Sequence, residues 1–242
     1  MKARTDNVSV VTSAFAPLAG KRLLDVGCGG GALARSLSGE GALVFGVDPN
    51  EDSLAAARRA VPTGTFLAGE AQALPFGDGS FDGVVFLNSL HHVPEREMRP
   101  ALREAARVAK PRSPIVVIEP LAEGSFFSVL SLVEDETAVR AAAQEAVREA
   151  MEDGALYLLR RIDYPRREGF ADVEEFFTRI LAAEPARAPL VEERREEVSA
   201  AFRLHARTAP DGRSILEQPM RAQVLVATAR PADRATKDDP RT

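Results

Sequence analysis

The stretch Leu23–Gly31 (LLDVGCGGG) constrains the fold of this 242-residue chain more than any other. A short apolar run, Lys21–Val26 (KRLLDV), enters a cluster of glycines and reads as a buried strand. Gly31–Ser38 follows with Leu33 and Leu37 four apart, which is helical spacing. Glycines permit positive φ and let a backbone approach a ligand closely. Free N–H groups at a helix start favour negatively charged groups. A second apolar run, Ala42–Val47, ends at Asp48, about 20 residues beyond the first loop glycine, where a carboxylate can accept from both hydroxyls of a ribose. A nucleoside-containing cofactor is therefore implied. Gly27 to Ala32 also fits G-x-G-x-x-A, the dinucleotide fingerprint, so the loop alone leaves a nicotinamide dinucleotide open.

The alternation continues. Thr65–Ala68, Gly83–Leu87 (GVVFL) and Pro114–Ile118 (PIVVI) read as strands, and Asp52–Ala60 and Glu95–Ala109 read as helices. Apolar strands alternating with helices predict a parallel sheet covered on both faces, a doubly wound α/β fold. Beyond Pro120 the pattern changes. Gly124–Glu152 is helical and Ala-rich, and Leu156–Pro165 is ambiguous between helix and strand. Asp172–Leu181 is an amphipathic helix, Pro189–Arg207 another, and Arg213–Glu217 and Met220–Thr228 read as two strands around Gln218-Pro219. The expectation is one domain over 1–230. It comprises an N-terminal strap (1–20), a cofactor-binding half (20–120), a helical lid or insertion carrying the acceptor region (121–210) and C-terminal strands (211–230). Residues 231–242 (PADRATKDDPRT) are polar and non-periodic and read as a disordered tail.

Composition removes several functions. The lone Cys28 excludes an intramolecular disulfide framework and a thiolate-clustered zinc site, and three histidines leave little for a histidine cage, so no metal is expected. A net charge of −5, from 31 basic and 36 acidic residues, argues against nucleic-acid or anionic-membrane partners. No apolar run reaches the length of a transmembrane helix. Lys2 and Arg4 ahead of Val8–Leu18, with Ala14-Phe15-Ala16, resemble a secretory leader. Asp6, Asn7, Thr12 and Ser13 dilute its apolar core, which favours a strap packed on the domain and a cytoplasmic protein.

Three features separate the cofactor readings. Asp25 lies two residues before the loop, where a carboxylate would repel a pyrophosphate and attract a cation. Glu70-Ala71 follows the third strand, where a carboxylate could accept from an adenine amino group beside a backbone N–H for a ring nitrogen. Phe81–Val93 (FDGVVFLNSLHHV) brings a strand end and a polar loop beside the glycines. LLDVGCGGG, the acid of GVDP, GEAQALPF, FDGVVFLNSLHHV and LREAARVAKPRSPIVVIEP occur in this order over roughly residues 20–120. Together they resemble the class I S-adenosylmethionine-dependent methyltransferases, in the branch called methyltransferase type 11. Two positions depart from that pattern: Glu70 where the family more often has Asp, and Ser113 where it usually has Gly.

The resemblance implies a Rossmann-like methyltransferase fold with a mostly parallel seven-stranded sheet and a helical insertion after the fifth strand. It implies that Gly27, Cys28, Gly29 and Gly31 form the loop under the methionine part of S-adenosylmethionine, with Asp25 near its ammonium. Asp48 would bind the ribose, Pro49 and Asn50 the rim of the adenine pocket, Glu70 and Ala71 the adenine, and Phe86 and Leu87 would offer backbone groups. Cys28 itself reads as a small filler, since no base is supplied beside it. His91 and His92 are candidate general bases, with a capping or packing role as the plainer alternative. As neighbours they point apart and are poorly placed to share a metal. Tyr157, Arg160, Arg161, Tyr164 and His205 are candidates for an acceptor pocket. The expected activity is methyl transfer to an O, N or C atom of a small metabolite, mainly by proximity and orientation. The loop after the fourth strand lacks an Asn/Asp-Pro-Pro-aromatic motif, and no Pro-Cys nucleophile occurs, which sets the DNA-methylating classes aside. The alternatives are an NAD(P)-dependent oxidoreductase and a non-catalytic cofactor-binding protein. Oligomeric state and acceptor identity are not legible.

Overall fold

The computed structural model describes residues 6–227. The notional tail at 231–242 and the end of the last expected strand, Thr228, lie outside the described residues. In chain order the elements are α1 (Asn7–Phe15), β1 (Arg22–Val26), α2 (Ala32–Gly39), β2 (Leu43–Asp48), α3 (Glu51–Ala60), β3 (Thr65–Ala68) and β4 (Gly83–Leu87). Then come α4 (Glu95–Val108), β5 (Pro114–Pro120), α5 (Ser125–Leu130), α6 (Thr137–Glu152), β6 (Leu156–Phe170) and α7 (Val173–Ala183). The chain closes with α8 (Ala188–Glu193), α9 (Arg195–His205), β7 (Arg207–Thr208) and β8 (Ser214–Ala227). The sheet order is β3-β2-β1-β4-β5-β8-β6, with the short β7 paired to β8.

The described residues form two compact units. The first comprises 6–119, 143–162 and 222–227. Here β1 to β5 run parallel, and β1 lies between β2 and β4: Leu24 pairs with Phe45 and Val84, and Asp25 with Gly46 and Val85. Leu23, Leu24, Val84, Val85, Ile115 and Val116 are fully buried, as central parallel strands covered on both faces require. The chain winds outward from β1 to β3, then returns to place β4 on the other side of β1. Ligands of open α/β sheets bind at such a reversal, outside the carboxyl ends of the strands. The N-terminal segment forms α1, held by a capping box in which Asp6 accepts from the Ser9 N–H (2.8 Å) and Ser9 Oγ accepts from the Asp6 N–H (3.0 Å). Its Phe15 ring fills space left by Gly83 of β4, where a Cβ would stand 2.5 Å from a ring carbon.

The second unit comprises 120–142 and 163–221. Its core is aromatic. Phe170 of β6, Phe176 and Phe177 of α7 and Phe202 of α9 pack with Val129, Val133, Val198 and Leu216, and Phe126 stacks on Phe170. The Phe170–Phe176 and Phe170–Phe202 pairs meet edge to face at 5.5 and 5.9 Å between ring centres, the geometry that aromatic quadrupoles favour. Asp172 caps α7 by accepting from the Glu175 N–H (2.9 Å). Arg140 is buried, and its Nε and Nη2 donate to Glu136 Oε2 at 2.9 and 2.6 Å. Its Nη1 donates to the Leu121 carbonyl and to Gln218 Oε1 (3.0 and 3.1 Å), and its guanidinium lies over the Phe127 ring.

Four expectations are corrected here. The helical block after the fifth strand is not purely helical: β6, the 15-residue strand Leu156–Phe170, runs through it and takes the ambiguous segment. The Ala-rich stretch 124–152 breaks into α5 and α6. The two late strands are one, β8, continuous through Gln218-Pro219. Gln218 makes that continuity tolerable, because its Nε2 donates to the carbonyls of Leu121 and Pro219 (2.8 and 2.9 Å). Among the described residues the sheet has eight strands where seven were expected: seven lie along its main path, β6 the seventh, and the short β7 pairs with β8 off that path.

Candidate functional site

All the residues expected at the cofactor site lie in the first unit. The loop between β1 and α2 is built on positive φ at Gly27 (74°), Gly29 (49°) and Gly31 (78°), a region that residues with a Cβ seldom occupy. Each has a packing reason as well. A Cβ on Gly27 would stand 2.5 Å from Ser89 Cβ, and one on Gly31 3.0 Å from Ala57 Cα in α3. Ser89, on the loop after β4, donates its hydroxyl to the Val26 carbonyl at 2.6 Å. The ends of β1 and β4 are thereby fastened together at the reversal of strand order.

The loop's own N–H groups are largely engaged. Those of Gly27 and Cys28 donate to the Val47 carbonyl (2.7 and 3.1 Å), that of Gly29 to Asp48 Oδ2 (2.9 Å), and that of Gly31 to the Cys28 carbonyl (3.0 Å). A pyrophosphate cradle needs such groups pointing at the ligand. Here they shape the loop instead, and the nearest charges are two buried acids. Asp25 is 4% exposed, and burial first, then the neighbouring Asp48 carboxylate, push its pKa up to about 7. Asp48 accepts from the N–H groups of Gly29 and Asn50, both at 2.9 Å, and stands at the carboxyl end of β2. Pro49 is exposed beside it.

Cys28 packs into the space left by Gly46, where a Cβ would meet its Sγ and a Phe66 ring carbon, each at 2.6 Å. Burial first, then Asp25 and Asp48, push its thiol up to about 12, so the thiolate needed for nucleophilic attack is suppressed. Glu70 and Ala71 follow β3 on an edge where the Gly69 N–H donates to the Asp48 carbonyl (3.3 Å). That loop is pinned to α4: the Leu74 N–H donates to Glu104 Oε2 (3.0 Å), and Arg107 donates to the carbonyls of Phe76 and Leu74 (2.7 and 3.1 Å). Glu70 is exposed, and Phe86 is fully buried, so only its backbone is positioned to serve a ligand. Leu87 is half-buried.

Sequence reasoning passed over four residues, two of which, Asn88 and Ser89, lie on the loop after β4. Asn88 holds a φ of 54°, unusual for a residue with a Cβ, and its side-chain oxygen is buried without a hydrogen-bond partner. Gln72, in the loop after β3, has a similarly orphaned amide oxygen. Ser89 ties the loop to β1. A fourth, Glu119, sits at the end of β5 and is 1% exposed. Its Oε1 accepts from the N–H groups of Ser89 (3.1 Å) and Leu90 (2.8 Å), and its Oε2 meets His91 Nδ1. The signal was present: an acid closing the otherwise apolar run PIVVIEP has no reason to be buried unless it meets donors. His91 is buried and His92 exposed, although their rings lie 4.1 Å apart between centres. Of the acceptor-pocket candidates, Tyr157, Arg160 and Arg161 belong to the first unit, and Tyr164 and His205 to the second. Arg160 donates to Ser13 Oγ (3.3 Å), and Tyr157 is largely exposed.

The fold is that of a Rossmann-like α/β protein, with a glycine loop and two buried acids at the carboxyl ends of its parallel strands. Residues 24–117 match the family model described as a methyltransferase domain. It is 37% identical over 110 residues to a demethylmenaquinone methyltransferase of Renibacterium salmoninarum, covering 46% of this chain and 46% of that protein. It is 43% identical over 101 residues to a ubiquinone biosynthesis O-methyltransferase of Sodalis glossinidius, covering 39% of each. The chain thus spans under half the length of these relatives. Among solved structures, a TehB-like S-adenosylmethionine-dependent methyltransferase from Corynebacterium glutamicum shares the fold (TM-score 0.54, 16% identity, 91% of this chain and 87% of that one). So does the [4+2]-cyclase SpnF (TM-score 0.61, 20% identity, 92% of this chain and 81% of that one). Among the described residues no helix is long and apolar enough to cross a membrane.

Proposed function

We propose that this protein transfers the methyl group of S-adenosylmethionine to an O, N or C atom of a small-molecule metabolite, with His91 as the base where the acceptor must lose a proton. The observation that carries the reading is the pair of buried acids beside a glycine loop whose N–H groups at Gly27, Cys28, Gly29 and Gly31 are engaged within the fold. This arrangement suits a cation and a ribose better than a pyrophosphate. Two orphaned amide oxygens, on Gln72 and Asn88, lie in the loops assigned to the cofactor, and S-adenosylmethionine brings N–H and O–H donors.

When bound, the cofactor supplies a methyl group already activated by its sulfonium. The chain's own residues do the rest. Asp25 faces the ammonium, and Asp48 accepts from the ribose hydroxyls while it holds the Gly29 and Asn50 N–H groups. Glu70 and Ala71 meet the adenine, with Pro49 at its rim. Gly27, Cys28, Gly29 and Gly31 let the backbone approach, and Phe86 and Leu87 contribute main-chain groups. Holding acceptor and methyl carbon in line supplies much of the rate, and a base adds to it. His91 is preferred over His92 because only its ring is fixed by Glu119. The expected setting is the cytoplasm, without nucleic-acid or membrane partners. That a [4+2]-cyclase shares the fold is a reminder that the activity rests on the site, not the architecture.

Isothermal calorimetry with S-adenosylmethionine, S-adenosylhomocysteine and NAD tests the reading. Binding of the first two and not the third is expected; binding of NAD alone would replace this reading with the oxidoreductase one. Turnover with labelled methyl donor in a metabolite extract separates an enzyme from a non-catalytic binder.

A further inference from the structure

We propose that the outer edge of β6 over residues 156–162 pairs with the same edge of a second copy of this chain, antiparallel about a two-fold axis at Leu159. β6 closes one end of the sheet, and among the described residues its only neighbour is β8. Its outer main-chain groups are therefore a template for a further strand. The strand at the other end, β3, is only four residues long, whereas β6 has 15. Short length, prolines and charges are the usual protection of an edge. β6 has a proline and acids only in its later part, at Asp163, Pro165 and Glu168. Residues 156–162 (LYLLRRI) belong to the first unit and contain no proline, glycine or acid. Tyr157 is 65% and Leu159 57% exposed, on the same face of the strand as the exposed Arg161. Arg160, on the opposite face, donates to Ser13 Oγ of α1 (3.3 Å). Two large apolar side chains left side by side on an unpaired edge form a pairing surface.

A second copy is the occupant this segment selects, because the segment is complementary to itself when reversed. With Leu159 opposite Leu159, Tyr157 of each copy lies opposite Arg161 of the other, and Leu158 lies opposite Arg160. Each guanidinium directly faces an aromatic ring or an aliphatic side chain, both favourable cross-strand neighbours for its long stem and planar charge. Moving the axis one residue on, to Arg160, would set two guanidinium groups opposite each other, which is unfavourable. The contact is isologous and closes at two copies. A seven-residue edge is short against stable interfaces of roughly 1,200–2,000 Å², so half-association is expected on the order of 10–100 µM. Tyr157 and Arg161, candidates for an acceptor pocket by sequence, are placed at an edge between copies instead.

Sedimentation velocity of the purified full chain, from about 1 to about 500 µM, reads the association. A monomer–dimer equilibrium is expected. Leu159→Glu sets two carboxylates opposite each other at the axis and should weaken it at least about tenfold. Leu204→Glu makes the same exchange at an exposed leucine of α9, off the sheet edge, and should leave it unchanged. Both side chains are exposed, so both variants should melt within a few degrees of native by circular dichroism. Cysteine cross-linking reads the register, since the native Cys28 is buried. In L159C the two new thiols lie directly opposite, with Cβ atoms about 5 Å apart, and mild oxidation should give a covalent dimer. In Y157C they stand about 13 Å apart along the strands, beyond disulfide reach, and the chain should stay single on a denaturing gel. A native chain that is monomeric throughout the range overturns the proposal and leaves the edge to a partner of another kind. A dimer that L159E leaves intact, or that L204E weakens equally, overturns it too. So does cross-linking of Y157C as readily as L159C, or growth beyond two copies. None of these readouts involves a cofactor, so the pairing and the methyl-transfer reading stand or fall separately.

Discussion

The two units solve the problem of close packing in opposite ways. The first is closed by the absence of side chains: Gly27 admits Ser89, Gly31 admits α3, Gly46 admits Cys28 and Phe66, and Gly83 admits Phe15. The second is closed by rings, with Phe126, Phe170, Phe176, Phe177 and Phe202 in mutual contact. A unit that must bring backbone against a ligand gains from bare Cα atoms. A unit that needs only a core can fill it with large apolar surface, each buried ring contributing roughly 1.5–3 kcal/mol. The first unit should therefore be intolerant of added atoms and the second of removed ones.

The sharpest break of that contrast is Gly27→Val. It forces a branched side chain onto a positive φ and into Ser89, and cofactor affinity by calorimetry should fall by more than about 100-fold, or roughly 3 kcal/mol. Affinity within tenfold of native would show that the loop can relax. Phe176→Ala removes a ring from the centre of the second core, and denaturant unfolding should register a loss of about 3–5 kcal/mol. Cofactor affinity, measured below the unfolding transition, should stay near native; a parallel loss would mean the two units are not energetically separable. Asp25→Asn comes next. Its folded pKa, raised to about 7 from the ordinary aspartate value of about 4, means the native state binds more protons than the unfolded one between those values. Stability therefore falls as pH rises from about 4 to about 7, and the cost is fully present above that. The Asn variant should be more stable than native by roughly 1–3 kcal/mol at pH 8 and no more stable at pH 4, while binding S-adenosylmethionine more weakly. Equal stability at pH 8 would show that Asp25 is not held against its own charge. The smallest effect belongs to Cys28, whose buried thiol is raised to about 12 and should resist a thiol-directed reagent at pH 8 until the protein unfolds.

The same contrast explains what the sequence made legible. The first unit was readable because backbone needs leave a residue-type signature. Only glycine suits the positive φ values of the loop, acids close β1 and β2 at fixed offsets, and β3 and β4 fall on the residues their apolar runs mark. Resemblance then assigned roles that spacing alone left open between two cofactors. The strands β6 and β8, each divided between the units, were poorly legible because they answer to tertiary partners. LYLLRRIDYP has neither clean alternation nor clean helical spacing, and it becomes β6 only because β8 lies beside it. Gln218-Pro219 read as a break, yet a glutamine side chain and a carbonyl partner carry β8 through it. Glu119 was missed for a related reason: an acid's meaning lies in which donors reach it, and two of its three are main-chain groups some thirty residues away.

The buried position of Asp25 has one more consequence. With its pKa pushed up to about 7, this side chain keeps its proton in part near neutral pH, and the cation of the proposed cofactor seated beside it would drive that proton off. Under the proposed function, cofactor capture is expected to release acid. The heat recorded on binding should change with the ionisation enthalpy of the buffer, and its slope would count the protons that leave.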